Sequence, residues 1–159
     1  MAYQFYLTVK GKKQGEFKGE SRRKGKIDML GFSHAIVSPR DIGSGMASGK
    51  RQHSPLKIYK EWGPATVQFF EALVTNEDLT SVLIEAYNTD APGKERLYFT
   101  ITLTDATISS LNEVLDNALH GSAHDTLELE EIEFTYRKIE VNNLVSKKSA
   151  TDDWSAQSA

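Results

Sequence analysis

The chain has 159 residues, of which 39% are hydrophobic and 26% are charged. This length fits one domain that buries its own core, and no apolar run approaches the roughly eighteen residues of a membrane-spanning helix. The chain contains no cysteine, which excludes disulfide scaffolds, thiolate metal sites and cysteine nucleophiles. The first ten residues lack a basic stretch followed by an apolar one, so we expect no secretory signal peptide.

The net charge of −3 conceals a strong asymmetry along the chain. Residues 1–60 contain 13 Lys or Arg and 4 Asp or Glu, a balance of +9. Residues 61–159 contain 6 Lys or Arg and 18 Asp or Glu, a balance of −12. Three interpretations stay open: the two parts interleave in one fold, a positive face meets the negative face of another copy, or the basic part binds nucleic acid.

Most of the chain alternates between apolar and polar residues, which predicts strands. The predicted strands cover residues 3–9, 26–37, 51–60, 79–88, 96–104 and 127–141. The second strand is expected to place large residues on the core face and small ones on the opposite face: Leu30, Phe32 and Ile36 against Gly31, Ser33 and Ala35. The small face favours a smooth surface that another backbone approaches closely.

A change of periodicity predicts one helix over about residues 64–75, with Pro64 at its first position and Gly63 as its N-cap. Residues 105–125 are ambiguous. Ile108 fits a bulged continuation of the preceding strand, whereas residues 112–119 fit either a short helix or a long excursion.

These elements predict a mainly β fold, a small antiparallel β-barrel of two packed sheets with one α-helix at the side. We expect residues 1–143 to form a single domain. Residues 144–159 are polar and are expected to form a tail anchored by Trp154.

A long loop rich in glycine and serine runs from Arg40 to Lys50. It does not match the phosphate-binding P-loop, because Ser44 stands where the first glycine is needed. Arg51 also follows Gly49-Lys50 where the motif needs serine or threonine. Since the loop joins two predicted strands, we expect no nucleotide or other cofactor here.

The titratable residues do not form a recognisable catalytic or metal site. His120 and His124 have the spacing of metal ligands on a helix, but Gly121 favours a loop and no third ligand is evident. Four carboxylates on the last predicted strand fall on both of its faces, which does not specify an acid–base pair: Glu128, Glu130, Glu131 and Glu133. The sequence therefore predicts a protein that is not an enzyme and holds no metal.

A cluster of eight basic residues connects the first two predicted strands: Lys10, Lys12, Lys13, Lys18, Arg22, Arg23, Lys24 and Lys26. Phe17 is the one aromatic residue interleaved with them. The cluster therefore offers few aromatic rings on which the bases of single-stranded nucleic acid could stack. A solvated connection is the simpler interpretation.

Several short motifs follow one another in a specific order and spacing. They are Gly19-Glu20-Ser21, Ile27-Asp28-Met29-Leu30-Gly31-Phe32-Ser33-His34, Gly49-Lys50-Arg51-Gln52-His53-Ser54-Pro55-Leu56, Leu129-Glu130-Glu131-Ile132-Glu133-Phe134-Thr135-Tyr136-Arg137-Lys138-Ile139 and Asp153-Trp154. Together they resemble the haemolysin-coregulated protein (Hcp) family, the tube-forming proteins of bacterial type VI secretion. The resemblance covers nearly the whole chain.

The resemblance implies a structural protein whose copies form hexameric rings that stack into a hollow tube. It implies assembly in the bacterial cytoplasm inside a contractile sheath, capping by a spike protein, and expulsion with effectors carried in the lumen. That route would also explain export without a signal peptide. No nucleic-acid partner and no membrane insertion are expected, and a basic β-barrel that binds nucleic acid is the alternative.

Two sets of residues are expected to serve this assembly. The glycine-rich loop is expected to project from the ring and to contact the next ring through Arg40, Asp41, Gly43, Ser44, Gly45, Met46, Gly49 and Lys50. The small face of the second strand is expected to line the lumen and to contact effectors through Gly31, Ser33 and Ala35.

Overall fold

The computed structural model describes residues 3–19, 21, 23, 25–115 and 128–154. The strands in these ranges are β1 Tyr3–Gly11, β2 Gly15–Glu16, β3 Ile27–Met29, β4 Gly31–Ser33, β5 Ile36–Val37, β6 Gln52–His53, β7 Leu56–Glu61, β8 Leu79–Thr89, β9 Glu95–Leu115, β10 Glu128–Asn143 and β11 Lys148–Asp153. The helix α1 spans Thr66–Val74. Within these ranges, the prediction of a mainly β, antiparallel fold with one helix is confirmed. In the part of the chain that the structure describes, no helix is long and apolar enough to cross a membrane.

One antiparallel sheet makes up most of the molecule. Its hydrogen-bonded order is β2-β1-β8-β9-β10-β7-β4, with β3 added to β1 and β11 added to β10. Hydrogen bonds do not close this sheet into a ring of strands. The chain itself crosses the gap instead, because β3 pairs with β1 and β4, one residue later, pairs with β7. The N–H of Leu30, at this crossing, donates to the carbonyl of Tyr59 at 2.8 Å.

The sheet wraps a core built from alternate residues of its long strands. Five aliphatic side chains, one from each of β1, β7, β8, β9 and β10, are fully buried: Leu7, Ile58, Val82, Leu103 and Ile132. Burying one such side chain contributes about 1.5–3 kcal/mol. This alternation is the pattern that predicted the strands.

The predicted strand over residues 26–37 is broken into β3, β4 and β5. Its first part supplies the core, since Ile27 is fully buried and Met29 nearly so. The expectation that Leu30, Phe32 and Ile36 fill the core was wrong, because all three are exposed large hydrophobics. The chain bends at Leu30, so one alternation does not extend across the bend.

Within β4 itself the predicted division into two faces is present. Phe32 lies opposite the buried Ile58, whereas Gly31 and Ser33 lie opposite Tyr59 and Lys57. Residues directly opposite each other share a face of the sheet. Phe32 therefore faces the core side at the mouth of the barrel, where its ring contacts Phe5 at a centroid distance of 6.4 Å.

The helix is shorter than predicted. It begins at Thr66 with Ala65 as the N-cap, so Pro64 lies in the preceding turn and Gly63 is not the cap. No side chain caps α1. The hydroxyl of Thr66 instead accepts a hydrogen bond from the N–H of Gly63 at 2.9 Å. Phe69 of this helix is buried in the core. We attribute the start of the helix at Thr66 to this packing and not to the local preference for a cap residue.

The first part of the ambiguous stretch is strand. β9 continues to Leu115, and its register against β10 shifts between Ser110, opposite Glu133, and Ile108, opposite Phe134. The bulged continuation is thus the interpretation that holds for these residues. Residues 116–127, with His120 and His124, lie outside the described residues.

Candidate functional site

Residues 34–54 leave the sheet between β4 and β7 and return as a two-stranded hairpin, which we call the arm. Near its base, Ile36 pairs with His53. Further out, Arg40 forms an isolated bridge with Ala47. The glycine-rich loop is therefore the outer end of a paired, hydrogen-bonded element.

The tip of the arm is a turn organised by Asp41. The Asp41 carboxylate accepts hydrogen bonds from the N–H of Ser44 at 2.8 Å and from its hydroxyl at 2.7 Å. These bonds lower the pKa of Asp41 from its usual value. The Asp41 carbonyl also accepts from the N–H of Gly45, whose φ of 72° lies in the region that favours glycine. The N–H of Asp41 donates to the carbonyl of Met46 at 2.8 Å, which closes the turn.

The apolar side chains of the arm face solvent. Ile42 is 103% exposed and Met46 is 68% exposed. Ile36 and Val37, nearer the base, are about half exposed. An isolated two-stranded hairpin is marginal in water, and contiguous exposed apolar residues mark an interaction surface. The arm thus presents a surface that another molecule can cover.

Hydrogen bonds centred on Tyr136 of β10 fasten the base of the arm to the barrel. The Tyr136 hydroxyl lies 2.6 Å from Nε2 of His34 and 2.8 Å from Nδ1 of His53. Nε2 of His53 lies 2.6 Å from Oδ2 of Asp152 on β11. Nε of Arg51 donates to the same oxygen at 2.5 Å. One tyrosine thus joins both sides of the base of the arm, His34 before β5 and His53 in β6, to β10.

Chemistry assigns the direction of these hydrogen bonds. The Asp152 carboxylate can only accept, so His53 donates to it through Nε2–H. With a single N–H on the His53 ring, at Nε2, Nδ1 is left to accept from the Tyr136 hydroxyl. The Tyr136 oxygen accepts in turn from Nε2–H of His34. The four side chains form one directed chain.

The pKa shifts in this network agree with that direction. Burial, and then the neighbouring His53, lower the pKa of His34 from its usual 6.5. Burial, and then Asp152, raise the pKa of Tyr136 to about 12. The hydrogen bond from Arg51 lowers the pKa of Asp152 from its usual 3.8. These shifts favour neutral His34, neutral Tyr136 and ionised Asp152, and the hydrogen bonds are compatible with those forms.

The end of the described chain covers this network. The Trp154 ring stacks on His53 with a centroid distance of 5.2 Å and an interplanar angle of 25°. The N–H of Trp154 donates to the carbonyl of Arg137 at 2.7 Å. β11, just before it, pairs with β10 over residues 148–153. The division into a domain ending at residue 143 and a tail stays a prediction.

The small residues expected to line a lumen lie next to charged ones. Gly31 is half-buried, and Ser33 and Ala35 are exposed. Ser33 lies opposite Lys57, whose Nζ is 3.3 Å from Oε1 of Glu133. This face of the sheet is therefore polar and carries little bulk at β4.

Part of the basic cluster is folded onto the sheet. Nζ of Lys26 lies 2.5 Å from Oε1 of Glu85. The Arg23 guanidinium pairs with Glu95 and lies 4.1 Å from the centre of the Tyr87 ring. These contacts hold the chain segment that carries Arg23 and Lys26 against β8.

The acidic run contains a buried ion pair that sequence reasoning missed. Lys60 of β7 and Glu130 of β10 are both fully buried and form an ion pair with each other. The hydroxyl of Thr66 donates to Oε1 of Glu130 at 3.1 Å, which ties the start of α1 to the sheet. Their strand positions carried a signal, since Lys60 continues the alternation of Leu56 and Ile58. Over the described ranges, no group of three or more His, Cys, Asp or Glu is placed to hold a metal ion.

Comparison with known proteins identifies the family that has this fold. The family described as "Type VI secretion system effector, Hcp" matches residues 6–142. The chain belongs to the Hcp family. It is similar to the "Major exported protein" of Pseudomonas aeruginosa, with 36% identity over 167 residues, 97% of this chain and 96% of that protein.

Solved Hcp structures have the same fold. A protein described as "Crystal structure of Hcp protein" superposes with a TM-score of 0.89 at 27% identity, covering 98% of this chain and 100% of that one. The secreted protein Hcp3 from Pseudomonas aeruginosa superposes with a TM-score of 0.79 at 30% identity, with coverages of 98% and 100%. The resemblance is confirmed, and this Hcp-family chain is a secreted tube protein of type VI secretion. The nucleic-acid alternative is not supported.

Proposed function

We propose that six copies of this Hcp-family chain close into a ring, and that rings stack through the arm into a tube that carries effectors in its lumen. Assembly takes place in the bacterial cytoplasm inside the sheath, with the spike protein at the tip, before the tube is expelled. In this proposal the chain is a structural and carrier protein. It has no catalytic step, cofactor, nucleic-acid partner or membrane insertion.

The observation that carries the proposal is the arm. Its two strands are paired and its tip is closed by hydrogen bonds to Asp41, yet Ile42 and Met46 remain exposed. An element whose tip leaves its apolar side chains exposed gains stability when a partner covers it. In a tube, each ring has a neighbouring ring that can be this partner.

Removal of the tip tests the stacking role. Deleting residues 43–48 should abolish stacking and secretion while single rings persist, because the Tyr136 network that holds the base of the arm remains. Light scattering measures the ring mass, electron microscopy measures tube formation, and immunoblotting of culture medium measures secretion. Deletion that unfolds the subunit, or that leaves tubes intact, would contradict this role.

The lumen is assigned to the polar face that carries Gly31, Ser33 and Ala35. Gly31 and Ser33 leave β4 without bulk on that face, and Ala35 follows just beyond the end of β4, so cargo approaches the backbone closely. The substitution Ser33→Gln should leave rings of normal size and reduce the effector that co-purifies with them. Ser149→Gln, at an exposed position of β11, is the matched control. Co-purification unchanged across several effectors would remove Ser33 from the cargo surface.

A further inference from the structure

The base of the arm brings two histidines to one buried hydroxyl group. His34 precedes β5 and His53 lies in β6, and the centroids of their rings are 6.5 Å apart. The Tyr136 hydroxyl lies within hydrogen-bond distance of both, at 2.6 Å from Nε2 of His34 and 2.8 Å from Nδ1 of His53. The attachment of the β5 side of the arm therefore depends on how many protons the two rings carry.

This chain of hydrogen bonds accommodates one added proton. With one N–H on each ring, the Tyr136 hydroxyl donates to His53 and accepts from His34. When Nδ1 of His53 takes up a proton, the hydroxyl reverses: it accepts from His53 and donates to Nε2 of His34, whose own hydrogen then lies on Nδ1. The Asp152 carboxylate, 2.6 Å from Nε2 of His53, balances the added charge. Every hydrogen bond of the chain is retained.

A second proton breaks the chain. Both rings then present an N–H to the same Tyr136 oxygen, and the hydroxyl hydrogen has no acceptor left in the chain. Tyr136 is buried, so an unpaired polar group there is costly. Two imidazolium cations also lie close together beside one carboxylate, Asp152, which already pairs with Arg51. Double protonation thus removes a hydrogen bond and adds repulsion.

The surroundings of the rings determine which histidine is protonated last. Among the described residues, the groups that act on the two rings come from each packed element: Tyr136 of β10, Asp152 of β11, Arg51 of the arm and the uncharged Trp154 at the chain end. The next carboxylate, that of Asp153, pairs with Arg137. His53 has Asp152 beside it, whereas burial and then His53 lower the pKa of His34. His34 therefore takes up the second proton.

We propose that the base of the arm is an acid switch: when both histidines carry a proton, His34 leaves Tyr136 and β5 separates from β6, while His53 stays on Asp152. His34 is the one that leaves, because it is half-buried, whereas the His53 side chain is fully buried and stacked on Trp154. The opening breaks the pairing of Ile36 with His53 and the hydrogen bond from the N–H of Ser54 to the carbonyl of Ala35.

The switch has a consequence for the tube, which rests on the proposed stacking role of the arm. Histidines titrate between about pH 7 and pH 5, so tubes should come apart into rings over this range. Acid would then release rings from a tube without unfolding the subunit.

Hydrogen–deuterium exchange of the purified chain tests the switch independently of stacking. The N–H of Ser54 should lose protection at least tenfold between about pH 7 and pH 5, after correction for the intrinsic pH dependence of exchange, because its acceptor lies on the strand that leaves. Peptides of β8, residues 79–89, should keep their protection. Unchanged protection at Ser54 would overturn the proposal. An equal loss in β8 would overturn it too, because acid would then unfold the whole subunit.

The variant His34→Gln isolates the second proton from other effects of acid. Glutamine donates through its amide nitrogen or accepts through its amide oxygen, so the chain keeps its hydrogen bonds whichever way the Tyr136 hydroxyl points. Protection at Ser54 should then change by less than about twofold between about pH 7 and pH 5. A loss equal to that of the parent would overturn the proposal. If this variant does not fold, Tyr136→Phe replaces it and should be equally open at both pH values, and a base that closes at neutral pH would count against the switch.

Sedimentation of tubes at the same two pH values separates the switch from the proposed function. Tubes of the parent should dissociate at the lower pH, and tubes of His34→Gln should persist. Parent tubes that persist although the base of the arm has opened would contradict the stacking role of the arm and leave the switch standing. Tubes that dissociate with the base still closed would overturn the switch and leave the stacking role standing.

Discussion

Tyr136 is the residue on which the attachment of the arm depends most. Its hydroxyl lies within hydrogen-bond distance of both His34 and His53, so both sides of the base of the arm meet at a single oxygen. Tyr136 and His53 are both buried, which makes an unpaired polar group there costly.

The substitution Tyr136→Phe should lower the free energy of unfolding by about 1–3 kcal/mol, because Nδ1 of His53 and Nε2–H of His34 both lose their partner. Chemical denaturation measures this loss. Tyr59→Phe is the control, since no hydrogen bond to the Tyr59 hydroxyl is found within the described residues and that side chain is half-buried. Equal effects of the two substitutions would argue against the hydrogen-bond chain.

The histidine at the other end of this chain makes stability depend on pH. The pKa of His34 is lower in the folded protein than its usual 6.5, so the unfolded chain binds the proton more readily. The free energy of unfolding should therefore fall as the pH drops below about 6.5. Asp152, whose pKa is lowered from 3.8, adds a further loss only at more acidic pH.

His34→Gln should flatten this dependence between about pH 6.5 and pH 5, because glutamine donates to Tyr136 through its amide without titrating. The measurement is the slope of the unfolding free energy against pH in urea. A slope unchanged by the substitution would show that other groups cause the dependence.

At the scale of secondary structure, the Lys60–Glu130 ion pair joins three elements. It connects β7 to β10, and the Thr66 hydroxyl adds the start of α1. Oε2 of Glu130 is buried without a hydrogen-bond partner among the described residues, so the carboxylate depends heavily on Lys60. Such a pair is costly to break and less costly to replace as a whole.

Lys60→Met should therefore lower the free energy of unfolding by about 3–5 kcal/mol, because Glu130 keeps a buried charge with no cation beside it. The double substitution Lys60→Met with Glu130→Leu should recover most of that loss. A double-mutant cycle in denaturant measures both. Additive effects of the two substitutions would mean that the charges are not coupled.

At the scale of the whole molecule, the structure mixes the charges of the two halves. Arg23, Lys26, Arg51, Lys57 and Lys60 all pair with carboxylates from residues 85–152. These pairs are the interleaving that one interpretation of the charge asymmetry predicted. Arg40 and Lys50 on the arm lie outside these pairs.

The double substitution Ile42→Ser with Met46→Ser should reduce tube formation at least tenfold and leave the unfolding free energy within about 0.5 kcal/mol of the parent, because exposed side chains contribute little to the folded monomer. Sedimentation of tubes and chemical denaturation measure the two quantities. Val67→Ser, on the exposed face of α1, is the control for tube formation. Tubes formed normally by the double variant would contradict an apolar stacking contact.

The sequence alone predicted the strands whose pattern is local. Over residues 96–104 each inward residue is apolar and each outward one is polar, so one window determines both the strand and its buried face. The order and spacing of the motifs also predicted the Hcp family, which the comparison confirmed.

The tertiary structure decided what depends on residues distant in sequence. The bend at Leu30 follows from pairing with β1 on one side and β7 on the other, which no window around residue 30 contains. The Tyr136 network joins residues 102 positions apart, so neither histidine carries a local sign of its partner. Nor does Lys60 reveal by itself that a carboxylate 70 positions later neutralises it. Alternation of apolar and polar residues belongs to a single strand and can be read from it. Strand pairing and charge compensation depend on residues of different strands that meet only in the folded protein.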